Sequence, residues 1–91
     1  VQIRLTESAA ADLERIEAHI RADRPEAVVD TVLRVLEALD GLMLFPHLGR
    51  SGRVRGTREL VVSGTPFFAV YRVQTDGIWV LRVLHAARRW P

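Results

Sequence analysis

ELVVSGTPFFAVYRVQTDGIWVLRVL, residues 59–84, decides the fold. It holds three apolar runs, ELVV (59–62), FFAVYRV (67–73) and IWVLRVL (78–84). Between them lie Ser63-Gly64-Thr65-Pro66 and Gln74-Thr75-Asp76-Gly77, links made of turn formers, and the Asp-Gly pair is a strong hairpin signal. The stretch therefore predicts three strands folded back on one another. Both longer runs carry apolar side chains on each face, which predicts a sheet covered on both sides.

Upstream, FPHLGRSGRVRGTRE (45–59) breaks regular structure with Pro46, Gly49, Gly52 and Gly56 and adds Arg50, Arg53, Arg55 and Arg58. Before it, Val28, Val32, Leu36, Leu39 and Met43 recur at helical spacing, widened by Val29, Val35 and Leu42. Pro25 suits the first turn of this helix, with Asp23 or Arg24 near its cap. An earlier helix places Ala9, Leu13, Ile16 and Ile20 on one face, with Asp12, Glu14, Arg15 and Glu17 outside. Thr6 is its N-cap, Glu7 complements its dipole, and it ends near residues 22–24 because Pro25 disfavours helix before it. VQIRL (1–5) alternates as a strand. The order is β-α-α-β-β-β: an α+β domain over residues 1–91 in which an N-terminal strand precedes an antiparallel two-helix hairpin packed on a small antiparallel sheet. The hairpin covers one face of the sheet, so the other face calls for a partner.

A chain of 91 residues holds one core, and 48% hydrophobic residues suffice to pack it. There are no cysteines, which removes disulfides, thiolate zinc sites and cysteine nucleophiles. No apolar run approaches a membrane span and no signal-peptide pattern opens the chain, so the expectation is a cytoplasmic protein without membrane contact. The net charge of +2 is unevenly distributed. Residues 1–45 hold five arginines against nine acids, a balance of −4, and residues 46–91 hold eight against two, a balance of +6. The second half is a basic surface for an acidic partner, either nucleic acid or an acidic peptide. Every basic residue is arginine, permanently charged and suited to bidentate contacts but a poor general base.

No histidine has metal-ligand spacing to an acid or a second histidine, so neither a metal nor a cofactor is expected. His19 and His47 read as surface or packing residues. His85 reads as the close of the last strand, bonded to backbone. Tyr71 reads as a core residue with its hydroxyl at the edge, and Arg72 as part of an exposed charged face. Phe67, Phe68 and Trp79 read as core or partner-covered surface.

The order of elements, together with LFPHLGR (44–50), RELVVSGTPFFAVYRV (58–73) and RVLHAARRWP (82–91), resembles the RelE/ParE superfamily of toxins from type II toxin–antitoxin systems, and its ParE-like branch in particular. The resemblance covers nearly the whole chain. It implies a toxin neutralised by a cognate antitoxin whose acidic or amphipathic C-terminal segment wraps around it in a hetero-oligomer. In the ParE-like branch it implies inhibition of DNA gyrase by binding, with no catalytic side chain. Arg50, Arg53, Arg55, Arg58, Arg72, Arg88, Arg89 and Trp90 are then the residues expected to contact target or antitoxin, since arginine and tryptophan are enriched at interface hot spots. The RelE-like alternative is a ribosome-dependent mRNA endoribonuclease using Arg58, Tyr71, Arg82 and His85. The strand position that often carries an arginine in that branch holds Phe67, Phe68 and Ala69 here. A third alternative is a non-toxic binding module of a degenerate pair.

Overall fold

In the computed structural model, which describes residues 2–91, the chain runs β1 (Gln2–Leu5), α1 (Glu7–Asp23), a 3-10 turn (Pro25–Ala27), α2 (Val28–Leu44), β2 (Arg50–Ser51), β3 (Arg58–Val61), β4 (Phe67–Gln74) and β5 (Gly77–His85). The strand and helix order expected from the sequence is the one found. Val1, expected to open the first strand, lies outside the described residues. The sheet order is β1-β5-β4-β3-β2. The segment from β2 to β5 is antiparallel, whereas β1 lies parallel to β5, so the sheet is mixed. The two helices form the crossover that a parallel pairing requires. β2 is a two-residue strand inside the expected loop; it pairs Arg50 with Glu59 and Ser51 with Arg58.

Local sequence explains most element boundaries. The Thr6 side chain accepts from the Ala9 N–H at 3.1 Å and caps α1. Pro25 starts the 3-10 turn that leads straight into α2. Gly77 pairs with Gln2, has φ +140°, and leaves no room for a Cβ, which would lie 2.4 Å from the Gln2 carbonyl oxygen. The hairpin glycine thus also admits the first strand.

Beyond Leu5, the outer edge of β5 is completed by the start of α1 in place of a strand. The Thr6 N–H donates to the Val80 carbonyl at 3.0 Å and its hydroxyl to the Leu81 carbonyl at 2.9 Å. The next free donor on that edge, the Val83 N–H, bonds the Asp12 carboxylate at 3.0 Å. Buried backbone groups need such partners. Asp12 was expected on the outer face of α1; it is 2% exposed because this strand edge and Arg82 claim its carboxylate.

The main core lies between helices and sheet. Ala9, Val35, Leu39 and Leu42 pack on Phe67, Ala69, Tyr71, Ile78, Val80 and Val83. Fully burying a large apolar side chain contributes about 1.5–3 kcal/mol. A bulge against Val70 and Tyr71, where Arg82 and Val80 are the paired residues and Leu81 is extra, shifts the alternation of β5. Even positions Ile78 and Val80 face the helices before it, and odd Val83 faces them after it. Leu81 and Leu84 therefore join Phe68 and Val70 in a second, smaller cluster on the opposite face.

That opposite face was expected to await a partner. It is covered in part by the chain itself, because Trp90 packs against the second cluster. Val61 on this face stays 64% exposed, but more of the uncovered apolar surface lies elsewhere. Of the expected α2 stripe, only Val35, Leu39 and Leu42 are buried, while Val32, Leu36 and Met43 are exposed and Val29 is 68% exposed; Leu33, outside that stripe, is 51% exposed. α2 is apolar over more of its circumference than sheet and α1 can cover. Leu44 at its last position, then Phe45 and Leu48, continue the exposed surface past its end.

Candidate functional site

The arginine loop between α2 and β3 is pinned from both sides. Tyr71 has no exposed surface, and its hydroxyl accepts from the Gly49 N–H and donates to the Pro46 carbonyl, each at 2.8 Å. A Cβ on Gly49 would stand 2.8 Å from that hydroxyl and 2.9 Å from the Glu59 carbonyl oxygen, so only glycine allows the loop to settle there. Arg58 donates to the Gly49 carbonyl at 2.8 Å and reaches the His47 carbonyl at 3.4 Å.

Glu59 does the same work on the opposite face. Its buried carboxylate accepts from the Arg53 N–H at 3.0 Å and from the Arg50 guanidinium at 3.2 Å, with the Arg53 guanidinium at 3.8 Å. Burial pushes this carboxyl up, but the Arg53 backbone bond and the two guanidinium groups outweigh that and hold it below the usual carboxylate range. Arg53 also lies over the Phe68 ring at 5.7 Å and reaches the Trp90 carbonyl at 3.4 Å. Loop and tail therefore meet over the second cluster.

The pairing with Glu59 divides the basic residues. Arg50 and Arg53 are committed to it. Arg55 and Arg58, with His47, line a hollow of about 450 Å³ at the sheet end. Arg72 lays its guanidinium against Gly56 on the same loop. Among the described residues, Arg55, Arg58 and Arg72 make no ion pair. This is a rigid cationic edge able to meet an acidic surface or phosphate groups. Arg88 and Arg89 are exposed on the tail, and Trp90 is half-buried.

The residues of the ribonuclease alternative do not converge. Arg58 pairs with Tyr71 in the middle of β4, whereas His85 pairs with Phe67 at its start. Four residues along a strand are roughly 13 Å. The Tyr71 hydroxyl is spent under the loop. Arg82 donates to Asp12 through Nε at 2.7 Å and Nη2 at 2.9 Å, at the outer edge of β5. Burial pushes the Asp12 carboxyl up, but Arg82, the Val83 N–H and Arg15 outweigh it and hold it below the usual range; the same pairing raises Arg82. His85 Nδ1 accepts from the Ala87 N–H at 3.0 Å, and its ring meets Phe67 edge-on at 5.8 Å.

Several residues that organise the site carried no signal in the sequence. Asp12 and Glu59 sit where helix and strand periodicity allow an exposed acid, and only distant partners bury them. His19 was read as isolated, yet it shares a hollow with His85. Among the described residues no three histidines or acids group as a metal site, and no helix is long and apolar enough to cross a membrane.

Comparison with known proteins places this geometry. A family model described as the ParE toxin of the type II toxin–antitoxin system parDE matches residues 3–90. Y4kP, a protein of Sinorhizobium fredii, is 40% identical over 90 residues, covering 99% of this chain and 93% of that protein. Among solved structures, a chain of the chromosomal ParDE toxin–antitoxin system from P. aeruginosa superposes with a TM-score of 0.84 at 31% identity, covering 93% of this chain and 95% of that one. A chain of the RelBE2 toxin–antitoxin complex from Mycobacterium tuberculosis shares the fold, with a TM-score of 0.57 at 22% identity over 92% of this chain and 95% of that one.

Proposed function

We propose, from the premise that the chain belongs to the ParE toxin family of type II toxin–antitoxin systems, that it is a cytoplasmic toxin that inhibits DNA gyrase by binding and is neutralised by a cognate antitoxin. The observation that carries the binding reading is the division of the arginine loop. Glu59 and Tyr71 fix the backbone, and among the described residues Arg55, Arg58 and Arg72 are left without ion-pair partners on a rigid edge. A surface fixed before contact loses little conformational entropy on binding. Binding complementarity suffices for a protein that stabilises a cleaved enzyme–DNA state. The separation of His85 from Arg58 along β4, and the engagement of the Tyr71 hydroxyl by Pro46 and of Arg82 by Asp12, also favour a binder over a ribonuclease.

The antitoxin reading is supported by the exposed apolar surface of α2, which extends from Val29 to Leu48. Contiguous exposed apolar area of this kind marks an interaction site. The decisive assay incubates purified toxin with gyrase and supercoiled plasmid. Cleaved or relaxed DNA should accumulate, and Arg55→Ala with Arg72→Ala should weaken the effect about tenfold or more. Unchanged supercoiling at excess toxin overturns the gyrase assignment.

A further inference from the structure

The middle of α1, from Asp12 to His19, and the end of β5 enclose a hollow of about 270 Å³ that has no part in the arginine loop. Its floor is apolar, made by Ile16, Phe67 and Val83. Its rim carries Arg15 and His19 from α1 and His85 and Arg88 from the end of the chain. Two local bonds set the rim. The Ala87 N–H donates to His85 Nδ1, so the ring proton of the neutral imidazole sits on Nε2, where it is a donor. The Arg88 N–H donates to the His85 carbonyl at 2.9 Å, a turn that carries Arg88 back over the hollow. Among the described residues the Arg88 guanidinium makes no ion pair or hydrogen bond.

The single acid in the hollow does not oppose an anion. Each Asp12 oxygen already accepts two bonds: one from Arg82 Nε and the Val83 N–H, the other from Arg82 Nη2 and Arg15. One carboxylate against two guanidinium groups leaves the cluster positive, and Arg88 adds to it. A cationic rim around an apolar floor matches a carboxylate on a hydrocarbon stem. A bare phosphate would leave the floor formed by Ile16, Phe67 and Val83 without contacts. A second hollow of about 360 Å³ continues past His19 and His85 to Gly64 and Pro66; it also carries Asp23 and Asp30, so it gives an extended segment a path but leaves the acidic side chain to the first hollow.

We propose that this hollow is a docking site for an acidic side chain, flanked by apolar residues, on an extended segment of a protein partner. The assignment rests on the antitoxin reading and gives that partner a specific anchor, separate from the α2 surface and the arginine loop.

The test titrates the isotope-labelled full chain with a peptide of alternating leucine and glutamate, followed by nuclear magnetic resonance. The backbone amides of Val83, Ala87 and Arg88 and the His85 ring should shift. Arg88→Ala and His85→Ala should each weaken binding about tenfold, and a leucine–glutamine peptide should bind more weakly by a similar factor. Arg21→Ala, which removes a cation elsewhere on α1, should leave binding unchanged. Equal binding of the glutamine peptide, shifts confined to residues 50–58, or displacement of the peptide by inorganic phosphate or single-stranded RNA would each overturn the site. Growth arrest by the chain expressed alone is read in parallel. Arrest retained with no peptide binding removes only this hollow, whereas loss of both removes the toxin reading as well.

Discussion

Asp12 and Arg82, 70 positions apart, are joined by two hydrogen bonds of 2.7 and 2.9 Å, and the same carboxylate holds the Val83 N–H. The pair fastens the first helix to the last strand where β1 has ended. Asp12→Asn leaves Arg82 without its counter-charge in a half-buried position. The variant should lose about 2–4 kcal/mol of stability, measured by urea unfolding at neutral pH. Growth arrest should fall only in proportion to the folded fraction.

Acid should act through the same group and through Glu59. Both carboxyls titrate below their ordinary range in the folded chain. Their stabilisation is therefore fully present above the unfolded-state values of about 3.9 for aspartate and 4.3 for glutamate. It is lost as pH falls through the lower folded-state values. Thermal unfolding between pH 7 and pH 2 should show a steep acid limb for the parent chain and a shallower one for Asp12→Asn. Identical limbs would mean that Asp12 gains nothing from its partners.

Tyr71→Phe removes one oxygen that serves two backbone groups, the buried Gly49 N–H and the partly buried Pro46 carbonyl. An unsatisfied buried group costs about 1–3 kcal/mol. Part of that cost should appear as local opening of the loop, because Arg58 at the His47 and Gly49 carbonyls is then the main remaining tie on that face. Hydrogen exchange at the Gly49 amide should accelerate well beyond that of amides in β4. Inhibition of the target should weaken with it, since Arg55 and Arg58 depend on this loop for their positions.

The features that follow from neighbouring residues were legible in the sequence. Thr6 caps α1, Pro25 ends one helix and begins the next turn, and Asp76-Gly77 closes the last hairpin. Features set by distant pairing were not. The bulge at Leu81 moves the buried face of β5 by one residue, which alternation alone does not reveal. Arg53 and Arg55 look equivalent in sequence, but Glu59 claims one and leaves the other free. Periodicity marked α2 as amphipathic, yet its apolar positions cover too much of the helix to show which arc meets the sheet.

Trp90 links the tail to the second cluster of Phe68, Val70, Leu81 and Leu84. Its indole N–H is buried with no partner among the described residues, so the ring is held by apolar contact and the backbone by Arg53 at the Trp90 carbonyl. Trp90→Ala should uncover this cluster and raise binding of a hydrophobic dye. A half-buried tryptophan contributes less than the roughly 3–5 kcal/mol of a full core deletion, so the variant should still fold. Unchanged dye binding would show that the tail does not shield the sheet in solution.

The exposed side of α2 gives the sharpest separation between folding and partner binding. Leu33 and Leu44 are 51% and 77% exposed and absent from the core. Replacing both by arginine keeps helix propensity high. At position 33 the new charge faces Glu37 one turn on, and at 44 it complements the negative end of the helix dipole. Stability should change by no more than about 0.5 kcal/mol. The Leu33→Arg, Leu44→Arg chain should still arrest growth when expressed alone, because neither side chain lines the hollow that holds Arg55 and Arg58. Co-expression of the cognate antitoxin, which rescues the parent, should rescue the variant poorly. Full rescue would move the antitoxin off this surface and leave the apolar side of α2 to some other partner.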